Sequence, residues 1–256
     1  MPHHTVLHIP HDSVHIPAEH RASFLLSDAE LDRELLRITD AHTDDLFTIP
    51  GAAPVTFPVS RLLVDPEGFE DDALEPMASR GMGVLYTHTT HGQPLRAAPS
   101  TIDRARLLDA FYHPHHARLT QAVDAALGAH GECLVVDAHS FPSVPLPCEL
   151  DQAPARPELC LGTDAFHTPG ELLELARQSC ERVGWSVEVN RPFAGALVPM
   201  AHYRRDARVQ ALMIEVRRDL YMDEATGARN HSYDLTRTRL QAVLRELMRA
   251  GDVTVD

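Results

Sequence analysis

Three predicted strands each end in ionisable side chains. The segment HTVLHIP (4–10) is followed by His11, the segment CLVVD leads into His139, and VQALMIEV contains Glu215 near its end. The carboxyl ends of parallel strands meet at one edge of a sheet, where active sites gather. Two histidines and a carboxylate from different strand ends are typical of a catalytic zinc site in which water takes the fourth position. We therefore expect His11 and His139 to be metal ligands.

Two further side chains suit the other roles in such a site. Glu215 could be the base that deprotonates the water, and Arg61, in an extended run over 54–65, could stabilise a developing oxyanion. Asp137 either orients a ligand or caps the next turn. The run His113-Pro114-His115-His116 is a weaker ligand set, because adjacent histidines point in different directions on a helix.

The elements around these residues alternate between strands and helices. Ser27, with Glu30 three positions later, predicts a capped helix in SDAELDRELLRIT, and Pro114 predicts a kink in the helical stretch 100–130. The strands GECLVVDAHS, ELCLGTD, SVEVN and VQALMIEV alternate with the helices PGELLELARQSCERVG and SYDLTRTRLQAVLRELMRAG. This order favours an α/β fold whose mostly parallel sheet is covered on both faces. A length of 256 residues favours a single domain spanning 1–256.

The composition argues against several classes of protein. There are 37 acidic and 23 basic residues and the net charge is −14, whereas a nucleic-acid-binding protein needs a basic stripe. An apolar run near membrane-spanning length is missing from the sequence. The start lacks the pattern of a secretory signal, and the four cysteines have no CxxC spacing. We therefore expect a cytoplasmic protein with reduced thiols, in which nitrogen and oxygen atoms would hold any metal.

Eight segments, in order, resemble the N-formylglutamate amidohydrolase family. They are HIPHDSVHIP, DAHTDDLF, SRLLVDPE, EPMASRGMGVLYT, DAHSF, CLGTD, EVNRPFAGA and IEVRRDLYMDE, and they extend to about residue 224. The resemblance implies a three-layer α/β sandwich with a mixed, mostly parallel sheet, similar to the zinc carboxypeptidases and aspartoacylase-type deacylases. It also implies a Zn²⁺-dependent hydrolase that cleaves the amide bond of a small N-acyl amino acid such as N-formylglutamate.

The resemblance also assigns a metal-ligand set. His11 and His139 match the family's two histidine ligands. The compact HxxE of carboxypeptidases is missing, because Val14 stands three residues after His11. The resemblance therefore points to DAHTD, where Asp44 is the expected carboxylate ligand and Asp40 is the alternative. Their i, i+4 spacing would place both on one helical face.

Other matched residues imply catalytic and substrate-binding roles. Glu215 resembles the general base of the wider zinc-hydrolase group, and Arg61 resembles the arginine that polarises the scissile carbonyl. The expected substrate-binding residues are Arg218, Tyr221, Asn190 and His202.

One segment departs from the family pattern SR-x-x-x-D-x-N-R. Glu67 stands in place of the asparagine, and Gly68 stands in place of the arginine. The resemblance implies that this Asn-Arg pair grips the substrate's α-carboxylate, so a carboxylate substrate here faces a glutamate and loses a bidentate guanidinium partner. We therefore expect an altered specificity. Another loop could compensate through Arg96, Arg205 or Arg217.

Two alternatives remain open at this stage. One is a zinc peptidase or cell-wall amidase of the same fold, and the other is a relative that binds a metal or ligand without catalysis. Another divalent transition metal could occupy the same ligands, because affinity order alone does not set selectivity. The sequence predicts no oligomeric state.

Overall fold

The computed structural model describes residues 4–251, and within this range the chain forms one six-stranded sheet and seven α-helices. The strands are β1 (Thr5–Ile9), β2 (Ala52–Thr56), β3 (Cys133–Phe141), β4 (Leu159–Gly162), β5 (Val187–Val189) and β6 (Val209–Arg217). The helices are α1 (Ala18–Arg21), α2 (Asp28–Ile38), α3 (Thr43–Phe47), α4 (Thr101–Leu107), α5 (His113–His130), α6 (Gly170–Arg182) and α7 (Tyr233–Gly251). A π-helical turn covers Leu108–Tyr112, and 3₁₀ turns cover Ala78–Arg80 and Arg218–Leu220.

The sheet is mixed and mostly parallel, which confirms the predicted α/β class. Its strand order is β2-β1-β3-β6-β4-β5. The first four of these strands are parallel neighbours, whereas β4 pairs antiparallel with β6 and parallel with β5. The carboxyl ends of β1, β3 and β6 therefore lie at the same edge.

Helices pack against both faces of the sheet. Successive side chains of a strand point to opposite faces, and β3 shows this clearly. Val136 packs in the cluster that contains Leu240 of α7, whereas Val135 packs in the cluster that contains Leu119 of α5. The central strands are thus buried on both sides, which explains why they are almost continuously apolar.

Several local predictions correspond to observed elements, and two differ in detail. The capping box at the start of α2 is present, with Glu30 accepting the backbone N–H of Ser27. Pro114 lies in the first turn of α5, where its missing N–H costs little, and the irregularity falls in the preceding π turn. The run 54–65 is a strand only as far as Thr56, because proline cannot donate to a strand ladder and Pro58 follows.

Among the helices within residues 4–251, none has both the length and the apolarity of a membrane-spanning segment.

Candidate metal and catalytic site

His11 and His139 meet at the carboxyl edge of the sheet. His11 follows β1 and His139 lies near the end of β3, which is the neighbouring strand. Both imidazoles are buried, and their Nδ1 atoms are 3.3 Å apart. Two unlinked segments thus bring one nitrogen each to the same point.

Asp40, in the turn after α2, adds an oxygen to this point. Its Oδ2 lies 3.2 Å from His139 Nδ1 and 3.7 Å from His11 Nδ1. Its Oδ1 accepts a hydrogen bond of 2.8 Å from Arg218 Nη2. A tetrahedral zinc site with bonds of about 2.1 Å has ligand atoms about 3.4 Å apart. The three donor atoms therefore fit the dimensions of such a site.

The opposite nitrogen of each imidazole faces another carboxylate. His11 Nε2 lies 2.9 Å from Asp65 Oδ1, and His139 Nε2 lies 3.1 Å from Asp137 Oδ1. Metal-binding histidines are commonly oriented by a carboxylate in this way. Asp65 is therefore placed to orient His11, whereas Asp137 contacts His139 Nε2 without hydrogen-bond geometry within residues 4–251.

Glu67 is a second carboxylate close to the histidines. Its Oε1 lies 3.2 Å from His139 Nε2, and its Oε2 lies 3.7 Å from His11 Nε2. Although it is buried, His139 Nε2 makes no hydrogen bond within the described part of the chain. Glu67 and the two histidines can each offer one ligand atom, all within 4.8 Å of one another. Asp40 thus lies beside the Nδ1 atoms and Glu67 beside the Nε2 atoms, so the two carboxylates mark alternative positions for a cation rather than one shared position.

The electrostatics of this cluster favour a cation. Burial lowers the pKa of His139, but the negative charges of Glu67 and Asp137 outweigh this effect and hold the pKa well above its usual range. Burial and Arg61 lower the pKa of His11, and carboxylates again raise it overall. Positive charge at these nitrogens is therefore stabilised, whether a proton or a metal ion provides it.

Glu215 occupies the position expected of a base. It lies on β6 directly opposite His139 in the strand register. Its side chain is buried, and Oε2 has no hydrogen-bond partner within residues 4–251. Burial raises the pKa of Glu215 to about 8, and a general base works best when its pKa lies near the operating pH.

Arg61 is held at the edge of the same cluster by Asp65. Its Nε and Nη2 donate to Asp65 Oδ2 at 3.1 and 2.7 Å, and Tyr86 donates to that oxygen at 2.6 Å. Across the described residues, Arg61 Nη1 makes no hydrogen bond, and the side chain is 21% exposed. One face of the guanidinium is therefore available to a ligand.

A cavity of about 510 Å³ opens onto these groups. Its polar part contains the histidines, Asp40, Glu215 and Arg61, and its walls are largely apolar. Small-molecule sites typically combine an apolar lining with a few convergent polar groups. Among the apolar lining residues are Met77, Met82, Leu146, Leu150, Phe193 and Met213.

The sequence also matches a known family. Residues 3–222 match the profile of the family described as N-formylglutamate amidohydrolase. The chain belongs to the N-formylglutamate amidohydrolase family. Family membership supports a hydrolase that acts on amide bonds of small molecules.

Two solved structures share the fold. One is an N-formylglutamate amidohydrolase from Ralstonia eutropha, with a TM-score of 0.84 and 23% identity over 98% of this chain and 94% of that chain. The other is a gene product from Agrobacterium tumefaciens, with a TM-score of 0.63 and 19% identity over 97% of this chain and 92% of that chain. Comparison with curated proteins finds no match.

Asp44, the expected carboxylate ligand, does not lie beside the histidines. It is exposed on α3 and borders a separate shallow cavity together with Asp12. The assumed helical spacing does not apply, because α3 begins only at Thr43, after His42 with a left-handed φ of 69°. Asp40 and Asp44 therefore belong to different local structures, and the structure brings the alternative, Asp40, to the metal position.

Of the four expected substrate-binding residues, only Arg218 lines the cavity. Its guanidinium is buried and donates to Asp40, to both oxygens of Ser140 and to the carbonyl of Arg37. These bonds use four of its five N–H groups, including both on Nη2, so the main role of Arg218 is to position Asp40.

The other three expected residues face elsewhere. Tyr221 is fully buried and donates to a backbone carbonyl, that of Ala41. Asn190 donates to Thr163 beyond β4, and His202 is hydrogen-bonded to Asp124 on α5. In this structure the side chains of these three residues are engaged in hydrogen bonds outside the cavity lining.

Two buried histidines beside the candidate site, His8 and His115, were not predicted from the sequence to belong to it. His8 Nδ1 is hydrogen-bonded to Asp137 at 2.7 Å, and His8 Nε2 lies 2.9 Å from His115 Nε2. His8, Glu67 and Asp137 form a second group whose atoms lie close enough for a metal ion. A histidine inside an otherwise apolar strand was the available signal for His8. His115 was set aside with its neighbours, although it is the buried member of that run.

Proposed function

We propose that the protein is a metal-dependent amidohydrolase that cleaves a small N-acyl amino acid, N-formylglutamate or a close relative, with Zn²⁺ as the metal. The observation that carries this proposal is the convergence of His11, His139 and Asp40 beside Glu215 in one cavity. Nitrogen and carboxylate donors in this number are typical of an open catalytic site.

The roles of the protein groups follow from their positions. His11 and His139, through their Nδ1 atoms, and Asp40 would hold the ion, which would supply Lewis-acid activation of the carbonyl and of water. Glu215 accepts the proton of the attacking water and returns it to the departing amine. Arg61 directs its free Nη1 at the carbonyl oxygen, where negative charge develops.

The test combines metal analysis with a matched pair of variants. Activity on a panel of N-acyl amino acids should disappear after chelation and return with Zn²⁺. Asp40→Asn should weaken metal affinity by about tenfold or more, whereas Asp44→Asn, four residues later and exposed, should leave it unchanged. Full activity without metal, or equal metal affinity in the two variants, would refute the proposal.

The same panel discriminates the alternatives. Faster turnover of dipeptides or cell-wall amides would favour a peptidase or amidase, and tight metal binding with no turnover would favour a non-catalytic relative. The single domain over 1–256, the cytoplasmic location and the three-layer zinc-carboxypeptidase-like architecture stay predictions. Helices on both faces of the mixed sheet support the last of these.

A further inference from the structure

The cavity has an excess of negative charge. Six carboxylates line it, from Asp40, Asp65, Glu67, Glu75, Glu149 and Glu215, against the guanidinium groups of Arg61 and Arg218. Glu149 is paired with Arg156, and burial holds Glu215 in its neutral form at neutral pH, so a divalent metal ion would bring the remaining charges of the lining into balance without a surplus of positive charge. A side-chain carboxylate brought in by a substrate would therefore lose its hydration without gaining a free cation.

The arginines near the cavity are already engaged. Arg218 uses four of its five N–H groups on Asp40, Ser140 and the carbonyl of Arg37. Arg61 Nη1, which makes no hydrogen bond within residues 4–251, serves the carbonyl in the proposed reaction. Arg80 donates to the backbone carbonyls of Cys148 and Glu149, and Arg156 pairs with the side chain of Glu149. All 23 basic residues of the chain are arginines, so no lysine can take this role.

Position 68 cannot supply the missing cation. A Cβ atom on Gly68 would lie 2.7 Å from the Cα of Val84 and 2.8 Å from its nitrogen, and both are backbone atoms. A side chain of any kind is therefore excluded unless the backbone moves. The close approach of Gly68 to the backbone of Val84 therefore keeps a cationic side chain out of this position.

The walls away from the histidines are apolar. Met77, Met82, Leu146 and Phe193 line the cavity, and Leu150 lines it while being 67% exposed. An exposed leucine at the edge of a cavity leaves apolar surface for a ligand to cover. The lining thus favours an uncharged hydrophobic group.

From this lining, we infer that the enzyme selects N-acyl amino acids with an uncharged, apolar side chain, such as N-formylmethionine, over N-formylglutamate. The inference rests on the proposed function, because it names the substrate of that same site. The two compounds share the formyl group and the α-carboxylate, so that only the side chain differs between them.

The main experiment measures kcat/KM of the metal-loaded enzyme with the N-formyl derivatives of methionine, glutamine, glutamate and lysine. Methionine should exceed glutamate by about tenfold or more, and glutamine, which has the shape of glutamate without its charge, should lie between them. Glutamate equal to or faster than methionine would overturn the inference. Lysine faster than methionine would also overturn it, because charge rather than apolar contact would then decide.

A variant at the cavity edge provides a reciprocal test. Leu150→Arg should raise the ratio of glutamate to methionine turnover about tenfold, and its exposure makes the change tolerable for the fold. Leu235→Arg is the matched control, because Leu235 is also exposed but lies on α7 and outside the cavity lining. An unchanged ratio in Leu150→Arg, or an equal change in the control, would contradict the inference.

A binding measurement separates this inference from the proposed function. Metal-loaded Glu215→Gln is titrated calorimetrically with N-formylmethionine and N-formylglutamate. If the wild-type enzyme hydrolyses none of the four compounds, the proposed function fails, while tighter binding of the methionine compound still supports the selectivity. Equal or tighter binding of the glutamate compound refutes the selectivity whether or not turnover occurs.

Discussion

Replacing Glu215 with glutamine should slow the proposed reaction and stabilise the metal-free protein at the same time. The carboxyl is buried, one of its oxygens has no hydrogen-bond partner in the described part of the chain, and burial raises its pKa from an ordinary value of 4.5 to about 8. The folded protein thus disfavours the charged form that catalysis requires. Glutamine is neutral and nearly isosteric, so it removes the cost of burying this charge together with the base.

The size of the stabilisation follows from the two pKa values. A group whose pKa is raised by folding stabilises the native state fully below its unfolded pKa, and this contribution is lost as pH rises through the folded pKa. The loss is about 1.4 kcal/mol in the free energy of unfolding per pH unit within that interval. At pH 7 the wild type should therefore be roughly 3 kcal/mol less stable than it would be with a permanently neutral side chain.

The assay is chemical denaturation of metal-free wild type and Glu215→Gln between pH 4.5 and 8.5. The stability difference should be small near pH 4.5, grow with pH, and level off above pH 8, while kcat of the metal-loaded variant falls about 10²- to 10⁴-fold. A difference that does not change with pH would refute the argument from burial. Glu34→Gln is the control, because Glu34 is also buried but accepts hydrogen bonds from Thr90, and its replacement should destabilise the protein.

Three further predictions concern the surroundings of the metal site. Asp65→Asn should lower metal affinity about 10- to 100-fold, measured by competition with a chelator, because it removes the carboxylate that orients His11; unchanged affinity would argue against that role. Arg61→Lys should lower kcat about 100-fold at unchanged metal content, and a loss of metal instead would show that Arg61 acts only through Asp65. Zn²⁺ at about 100 times its Kd should raise the free energy of unfolding by about 2.7 kcal/mol. This gain should shrink as pH falls towards the raised pKa values of His11 and His139, since protons compete with the metal; calorimetric scans at several pH values test both statements.

The central part of the site was predictable because strands position side chains by a simple rule. His11, His139 and Glu215 each come at or near the end of an apolar run, and parallel strands bring such ends together. The register that places Glu215 opposite His139 follows from burial of both faces of β3 and β6. Identifying three buried strands in the sequence was therefore enough to predict that these three residues lie close together.

The carboxylate ligand was not predictable in the same way. The choice between Asp40 and Asp44 depended on the start of α3, and the left-handed residue His42 separates the two aspartates. A single backbone angle thus decides which side chain reaches the histidines, and a histidine at that position carries no strong signal of it. Two expected substrate-binding residues, Asn190 and His202, lie outside the cavity lining for a related reason, because they belong to loops whose course depends on distant partners such as Thr163 and Asp124.

The division between sheet and loops also bears on how this chain departs from its family. His139 and Glu215 lie on adjacent buried strands, where a shift of one residue would turn every side chain to the opposite face. Changes there would disrupt the core and the site together. Glu67 and Gly68 lie on a loop, where Gly68 packs against the backbone of Val84, so the charge of the cavity can change without moving the strands. An altered preference for the substrate's side chain, with the proposed metal ligands and the proposed base retained, is therefore the change that this architecture permits most readily.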